Sequence, residues 1–511
     1  MTTNSANNKR IAKNTGLLYI RMLLIMFVTL YTSRVVLRVL GVEDFGIYNV
    51  VGGVVTMLAF LNSSLNTATQ RFMNYEMGKG NMEGLRNVFS MSFIAYCLLA
   101  VIAVILAETI GLWFIYNKLV IPAERLQAAV WVFHFSVLTF VVNLLTVPYN
   151  AAIIAHERMS IYAYISVGEV VLKLLLVFLL QMVDADKLWL YGLMMCLVSC
   201  LVCLAYRACC LRSFSECRLR WIWDKSLLKG LFSFSGWMLA GTITSLLSTQ
   251  GVNMLINMFF GPVLNAARAV AMQVYSAVHA FVVNFMTATR PQIVKSYAQG
   301  NTEYMYRLVF SASKFSFFLL FILSMPILFN TAPILALWLE DVPEYAVLFT
   351  RLVLIDLLIN AAYGPIAYVS QASGKIRNYQ LVISIGFIGI ALFTWGAFRL
   401  GYPVHTTFLI AIIVDIVGLF LRLWVLHGIV HFPVLRYLRL VMWPVVAVFG
   451  CSVLFSFLPQ LFLSFSDPDY LLLFGYVCWC VCLTAVFVWF LGMNRGEKNL
   501  LLQGVHKIIR H

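Results

Sequence analysis

The feature that most restricts this chain is a succession of apolar stretches, most of them about twenty residues or longer, separated by mostly short loops. A helix needs about 20 residues to cross ~30 Å of hydrocarbon, and only helices or closed barrels satisfy their backbone hydrogen bonds there. The stretches lack the roughly ten-residue alternation of barrel strands, so helices remain. Composition agrees: 62% of the residues are hydrophobic and 11% charged, against about a quarter charged in soluble domains. Fourteen spans are predicted, at 16–40, 46–70, 88–115, 127–152, 161–183, 188–210, 230–257, 264–289, 308–330, 346–370, 379–399, 405–427, 440–459 and 470–493. The start "MTTNSANNKRIAKNTGLLYIRMLL" puts basic residues before an apolar run, but the run is too long for a cleaved signal and reads as a retained first helix.

Basic residues resist translocation, so their placement orients the chain. With the N-terminus inside, the loops on that side collect most Lys and Arg, including Arg218, Arg220, Lys225 and Lys229 of the longest loop. The opposite loops hold only Lys118, Arg125, Lys187 and Arg399, and they gather acids such as Asp44 and Asp186. Both termini are therefore expected in the cytoplasm. The net charge of +15 follows from this topology and from attraction to anionic inner-leaflet lipid, so no nucleic-acid partner is expected.

The chain repeats itself. "TATQRFMNYEMGKGN" from Thr67 is echoed 220 residues later by "TATRPQIVKSYAQGN" from Thr287. At the same offset, Leu40-Gly41 matches Phe260-Gly261. After a slip of one residue, Arg86, Val88, Phe89 and Ser90 match Arg307, Val309, Phe310 and Ser311. "PYNAAIIAHER" from Pro148 has a fainter counterpart in "PIAYVSQASGK" from Pro365. In register, these matches indicate two six-helix lobes in the same orientation, at 1–215 and 216–430, with two further helices in 431–511. Paired lobes suit alternating access, which favours a transporter over a channel.

The segments "LYTSRVVLRVLGVEDFGIYNVVGG", "LNSSLNTATQRF", "GVNMLINMFFGPVLNAARAVAMQV" and "FMTATRPQIVKSYAQGN" resemble the polysaccharide-transporter branch of the multidrug/oligosaccharidyl-lipid/polysaccharide exporter superfamily, which contains bacterial O-antigen and capsule flippases. The likeness is strongest over residues 10–90 and 230–310. It implies an all-α, V-shaped, MATE-like fold around a solvated cavity. It also implies passage of an undecaprenyl-diphosphate-linked oligosaccharide across the bacterial inner membrane, with glycan polymerase and other assembly proteins as expected partners alongside membrane lipid.

Charges at bilayer depth cost a few kcal/mol each on insertion scales and usually face a cavity or a partner. Nine basic residues lie within or at the ends of spans: Arg21, Arg34, Arg38, Arg71, Lys173, Arg268, Lys314, Arg351 and Arg422. Three acids are set against them, Glu169, Asp356 and Asp415, and the surplus of positive charge favours an anionic ligand. A guanidinium fork suits phosphate oxygens bidentately. Arg34 and Arg268 are thus the leading candidates to hold the diphosphate in the cavity, with Arg21 and Arg38 behind them. Glu169 and Lys173, four apart, are either one intrahelical pair or part of the cavity. Arg71, Lys314 and Arg422 are expected to snorkel to headgroups. Arg71 and Arg290 also mark where the repeat breaks, and with Glu169, Lys173, Asp356 and Asp415 they are candidates for gating or ion coupling. Asn62, Asn66, Gln70, Asn253, Asn257, Gln273, Tyr275 and Asn284 could bond a sugar or bond between helices.

No phosphate loop or catalytic triad is present: Gly374-Lys375 is followed by Ile376, with Val369 where the first glycine belongs. A non-enzymatic transporter without cofactor is expected. The eleven cysteines fall nearly all within spans and read as packing residues, with no metal site expected. Two other readings remain. A cation-coupled multidrug exporter of the same superfamily would need buried acids, which Asp356 and Asp415 could supply. Flipping of the peptidoglycan precursor lipid II is also compatible with the fold. A polymerase or acyltransferase is disfavoured because the longest loop is basic and on the cytoplasmic side.

Overall fold

The computed structural model describes residues 2–56, 59–117, 119, 121–183, 186–339, 341–462 and 470–499. Lys118, the side chain of Arg34 and the terminal residues 500–511 lie outside the described residues. Among those described there is no strand, and thirteen helices are long and apolar enough to cross a membrane. The predicted span 46–70 is the one that differs. It is shared between the end of α1 (Thr2–Thr56) and α2 (Ala59–Lys79), and α2 carries too many amides and hydroxyls to qualify by hydropathy.

Lys13–Leu239 form one compact unit. It contains α1 from Lys13 onward, α2, α3 (Met82–Leu106), α4 (Leu112–Asn117), α5 (Leu126–Ala155), α6 (Met159–Gln181), α7 (Lys187–Ser213) and the start of α8 (Lys225–Phe260). The central element is α5, which runs along α7 and also touches α2, α3 and α6. Its last turns expose almost nothing: Ala151, Ala152 and Ala155 are fully buried, and such small side chains let neighbouring backbones approach.

Met1–Ala12 and Ala240–His511 form the second unit. It contains α9 (Pro262–Ala298), α10 (Thr302–Phe329), α11 (Thr331–Trp338), α12 (Ala346–Tyr363), α13 (Ala367–Ser373), α14 (Arg377–Arg399), α15 (Thr406–Val430), α16 (Val434–Tyr437), α17 (Trp443–Phe462) and α18 (Tyr470–Phe487). Here α9, α10 and α12 pack on one another, and α17 and α18 dock on α10. An aromatic knot of Phe310, Phe432 and Tyr437, with ring centroids 5.6 to 5.9 Å apart, closes one end, where Tyr437 donates to the Ala362 carbonyl at 2.7 Å.

The sequence repeat becomes physical at the turns. Gly41 and Gly261 both adopt φ near +80° with extended ψ (78, 169 and 85, 179), a region open essentially to glycine alone. Gly80 and Gly300 are both left-handed, at φ 71° and 75°. The next residue in each case is an asparagine that starts a helix. Asn81 accepts from Gly84 N at 3.0 Å and Asn301 from Tyr304 N at 3.2 Å, and both backbone amides reach five residues back, to Glu76 O and Ser296 O. The fainter match behaves likewise: Glu157 (φ 59°) and Gly374 (φ 76°) end their helices in the left-handed region. The sequences before those two ends diverge, because α5 runs through Pro148 whereas α12 stops at Tyr363 and restarts after a 3-10 turn containing Pro365.

Candidate functional site

In the N-terminal unit the polar groups form a stripe down α6. Tyr162, Ser166, Glu169 and Lys173 recur at helical spacing on an otherwise apolar helix. Lys173 Nζ donates to Glu169 Oε1 at 2.5 Å, so this pair neutralises itself within one turn. Arg21 of α1 reaches the same stripe: its guanidinium lies 4.2 Å from the centre of the Tyr162 ring and donates to the Tyr162 hydroxyl at 3.0 Å. Tyr206 of α7 adjoins Ser166 and feels the charges of both Glu169 and Arg21.

The C-terminal unit carries the denser cluster. Asp356 of α12 faces Asp415 of α15 within the bilayer-length part of both helices. Asn360, one turn on, donates to Asp415 Oδ2 at 2.6 Å and accepts from the Tyr363 hydroxyl at 2.5 Å. Arg422, two turns along α15, lies 3.8 Å from Asp415 Oδ1 and 4.5 Å from the centre of the Tyr363 ring. Tyr275 of α9 adjoins both carboxyls and stacks on His279 at 5.3 Å. One Asp356 oxygen, Oδ1, is buried and has no hydrogen-bond partner among the described residues. Sequence reasoning names the two acids but not Asn360, Tyr363 or His279. The signal is available, since Asp356, Asn360 and Tyr363 fall at i, i+4 and i+7 on one face.

Arg268 lies in α9 and is buried, with its guanidinium donating to Asn253 of α8. It forms no ion pair among the described residues, and its Nε is buried without a partner. Arg38 is exposed, while Arg34 can be placed on α1 only by its backbone. The snorkelling expectation fails for three side chains. Arg71 is buried against the rings of Phe72, Tyr75 and Phe234, at 4.6, 4.9 and 5.8 Å. Arg422 sits in the carboxyl cluster. Lys314 is paired with Glu497 at 2.7 Å, the two side chains only 6% and 8% exposed. Their partners explain the difference: aromatic faces for Arg71, and for Lys314 an acid after the last span that no span-by-span count includes. Arg290 lies 5.6 Å from the centre of the Tyr368 ring.

Polar clusters outside the spans join helix ends. Arg125 bridges Asp44 at 2.9 Å and Asp186 at 3.2 Å, three residues that the charge count placed on one side of the membrane. Burial raises the Asp44 carboxyl, Arg125 opposes the rise, and Asp186 and Glu43 add to it. At the other ends, the Glu216 carboxylate hydrogen-bonds the His156 ring, which stacks on Phe214 at 4.0 Å. Burial acts to raise the Glu216 carboxyl, but the bond to His156, a backbone hydrogen bond and nearby Arg86 outweigh it and hold the group below its ordinary value.

No protein-family model matches the sequence. Among curated proteins, the uncharacterized membrane protein EpsK of Bacillus subtilis (strain 168) is 20% identical over 389 residues, 75% of each chain. Among solved structures, that of a MATE point mutant superposes with a TM-score of 0.70 at 14% identity, over 83% of this chain and 96% of that one. An outward-facing multidrug resistance MATE transporter of the MOP superfamily gives 0.68 at 15%, over 83% and 97%. A MOP superfamily transporter from Pyrococcus furiosus, whose binding pocket is described as reversed in polarity, gives 0.65 at 16%, over 82% and 95%. The chain is an all-α polytopic membrane protein with the MATE transporter fold.

Proposed function

We propose that this protein is an alternating-access flippase that moves an undecaprenyl-diphosphate-linked oligosaccharide from the inner to the outer leaflet of the bacterial cytoplasmic membrane, with both termini cytoplasmic. The observation that carries the reading is Arg268: a buried guanidinium on a membrane helix whose observed partner is the neutral Asn253 rather than a carboxylate. Such a charge is costly in hydrocarbon unless an anion visits it, and a diphosphate offers several oxygens to its fork. The weak likeness to EpsK over three quarters of both chains and the MATE fold support a transporter of this superfamily. Arg34, Arg21 and Arg38 are the further proposed contacts, and Arg71 and Arg290 the proposed gate. Export of negative charge from a cell with a negative interior gains about 2.3 kcal/mol per charge per 100 mV.

The Asp356–Asp415 cluster favours cation coupling. Two carboxyls facing one another inside an apolar bundle are complementary to a proton shared between them. The same cluster supports the second reading, a cation-coupled multidrug exporter. The two are separated by deleting the gene in its native host. The flippase reading expects a lipid-linked glycan to accumulate on the cytoplasmic side, with export restored by the intact gene and not by Arg268→Ala at equal membrane levels. Accumulation of no glycan, with altered drug susceptibility in its place, overturns it.

A further inference from the structure

Residues 214–224 join the membrane-length helices α7 and α8. Their backbone is pinned at several points. Glu216 bonds His156, Cys217 is fully buried, and the Arg220 amide donates to Ser90 Oγ at 3.2 Å. Asp224 Oδ1 then accepts from Ser226 N and Leu227 N, at 2.8 and 3.0 Å, and so starts α8. A segment tied at both ends has no structural need to hold large apolar side chains in water. Yet Leu219 is 48% exposed, Trp223 55% and Trp221 93%. Residues 219–224 contain no helix or turn, and Arg218 before them is extended (φ −76°, ψ 112°). Leu219, Trp221 and Trp223 therefore stand exposed at alternate positions of one short irregular segment. Arg218, Arg220, Lys225 and Lys229 around them are all exposed.

An indole has an apolar body and one N–H donor, which suits the headgroup layer better than either water or hydrocarbon. Basic side chains beside it meet anionic headgroups at the same depth. We infer that residues 218–225 are an interfacial clamp that binds anionic phospholipid, Leu219, Trp221 and Trp223 entering the headgroup layer while Arg218, Arg220 and Lys225 hold phosphate. The occupant is a lipid surface because the basic groups flank an apolar edge whose two ends are continuous with membrane-length helices. The inner leaflet as its location rests on the orientation proposed above, whereas binding itself does not. A failure of the clamp is therefore distinguishable from a failure of the flippase reading.

The test uses the full chain in nanodiscs of phosphatidylcholine, with or without phosphatidylglycerol. The chain has twelve tryptophans, so the signal is the emission of the wild type minus that of W221F/W223F. Brominated phosphatidylglycerol is expected to quench this difference emission. Retention of phosphatidylglycerol through purification should fall about fivefold for each charge removed in R218Q, R220Q and K225Q. Equal quenching by brominated phosphatidylcholine, with retention unchanged in the three charge variants, overturns recognition of anionic lipid. Difference emission typical of indole in water and quenched by neither lipid overturns membrane contact and makes the edge a protein-docking surface instead. Melting temperatures of all variants, expected to match the wild type in phosphatidylcholine alone, report folding.

Discussion

The two units share their turns and differ in what they bury. At Gly41 and Gly261, and again at Gly80-Asn81 and Gly300-Asn301, the backbone does the same thing 220 residues apart. Even the anchoring serines correspond: Ser90 accepts from the linker amide of Arg220, and Ser311 donates to Glu497 in the segment after the last span, at 3.2 Å in both cases. Between these fixed points the interiors part company. The N-terminal unit sets Glu169 against a lysine one turn away on α6 and Glu108 against His134 of α5, while the C-terminal unit sets two carboxyls against each other with Arg422 3.8 Å from one of them. Turns constrain backbone geometry and tolerate few sequences, so the repeat survives there. The charges are free to diverge, and they mark where the two units are proposed to act differently.

The sharpest way to break this contrast is to neutralise both sides of it. Under the coupling proposed for the C-terminal unit, D356N or D415N should reduce export about fiftyfold at unchanged membrane levels, the equivalent of the ~2.3 kcal/mol that one charge moved through 100 mV is worth. The E169Q/K173Q pair in the N-terminal unit should change it by no more than about threefold, because a self-contained i,i+4 pair contributes only ~0.2–0.5 kcal/mol. Export measured in right-side-out vesicles decides; equal losses in both variants would make the two units functionally alike and remove the assignment.

A second contrast lies at the aligned positions Phe93 and Lys314, the first apolar and the second an ion-paired lysine buried with Glu497. Truncating one partner strands a buried charge, so Glu497→Ala should destabilise the protein by about 3–5 kcal/mol. The double replacement K314M/E497L, which leaves no charge behind, should recover most of that loss in detergent melting. If the double variant melts as low as the single one, packing of the final segment matters and the ion pair does not.

How much of this is legible in the sequence follows from the range of each interaction. Span length and loop charge are local, and so are Gly41, Gly261 and Asn301 once the repeat is aligned. The i,i+4 pair of Glu169 and Lys173 is visible for the same reason. Lys314 with Glu497, 183 residues apart, is not, nor is Arg71 against Phe234, because no periodicity links residues that only tertiary packing brings together. The α12 face of Asp356, Asn360 and Tyr363 is an intermediate case. Its spacing is present in the sequence, but the amide and hydroxyl gain meaning only when α15 brings Asp415 to them. Arg268 stands out in the sequence as a cation without a local partner, whereas its neutral neighbour Asn253, fifteen residues earlier, reads separately as a sugar contact.

The shared turns permit a gentler comparison. A Cβ at Gly41 or Gly261 meets nothing within 4 Å, so alanine there costs only the backbone conformation, about 1–3 kcal/mol at each site and similar at both. Thermal melts of Gly41→Ala and Gly261→Ala that differ by more than this range would show that the two turns are not equivalent in energy, however similar their angles.

The smallest effect expected is at Glu216, whose carboxyl is held below the ordinary value of 4.5 by its bond to His156 against the opposing effect of burial. A carboxyl depressed in the folded state binds its proton more weakly there than in the unfolded chain. Its contribution to stability is therefore complete above the unfolded value and is lost as pH falls through the folded one. Melting curves should show Glu216→Gln less stable than the wild type at pH 7, with the gap closing below about pH 4. Asp44 in the Arg125 cluster has the opposite shift, so Asp44→Asn should narrow its gap to the wild type, or reverse it, as pH rises from the ordinary carboxylate value of 3.8 through the raised folded one. Gaps that move in the same direction for both variants would mean that burial, rather than the named partners, governs the two carboxyls.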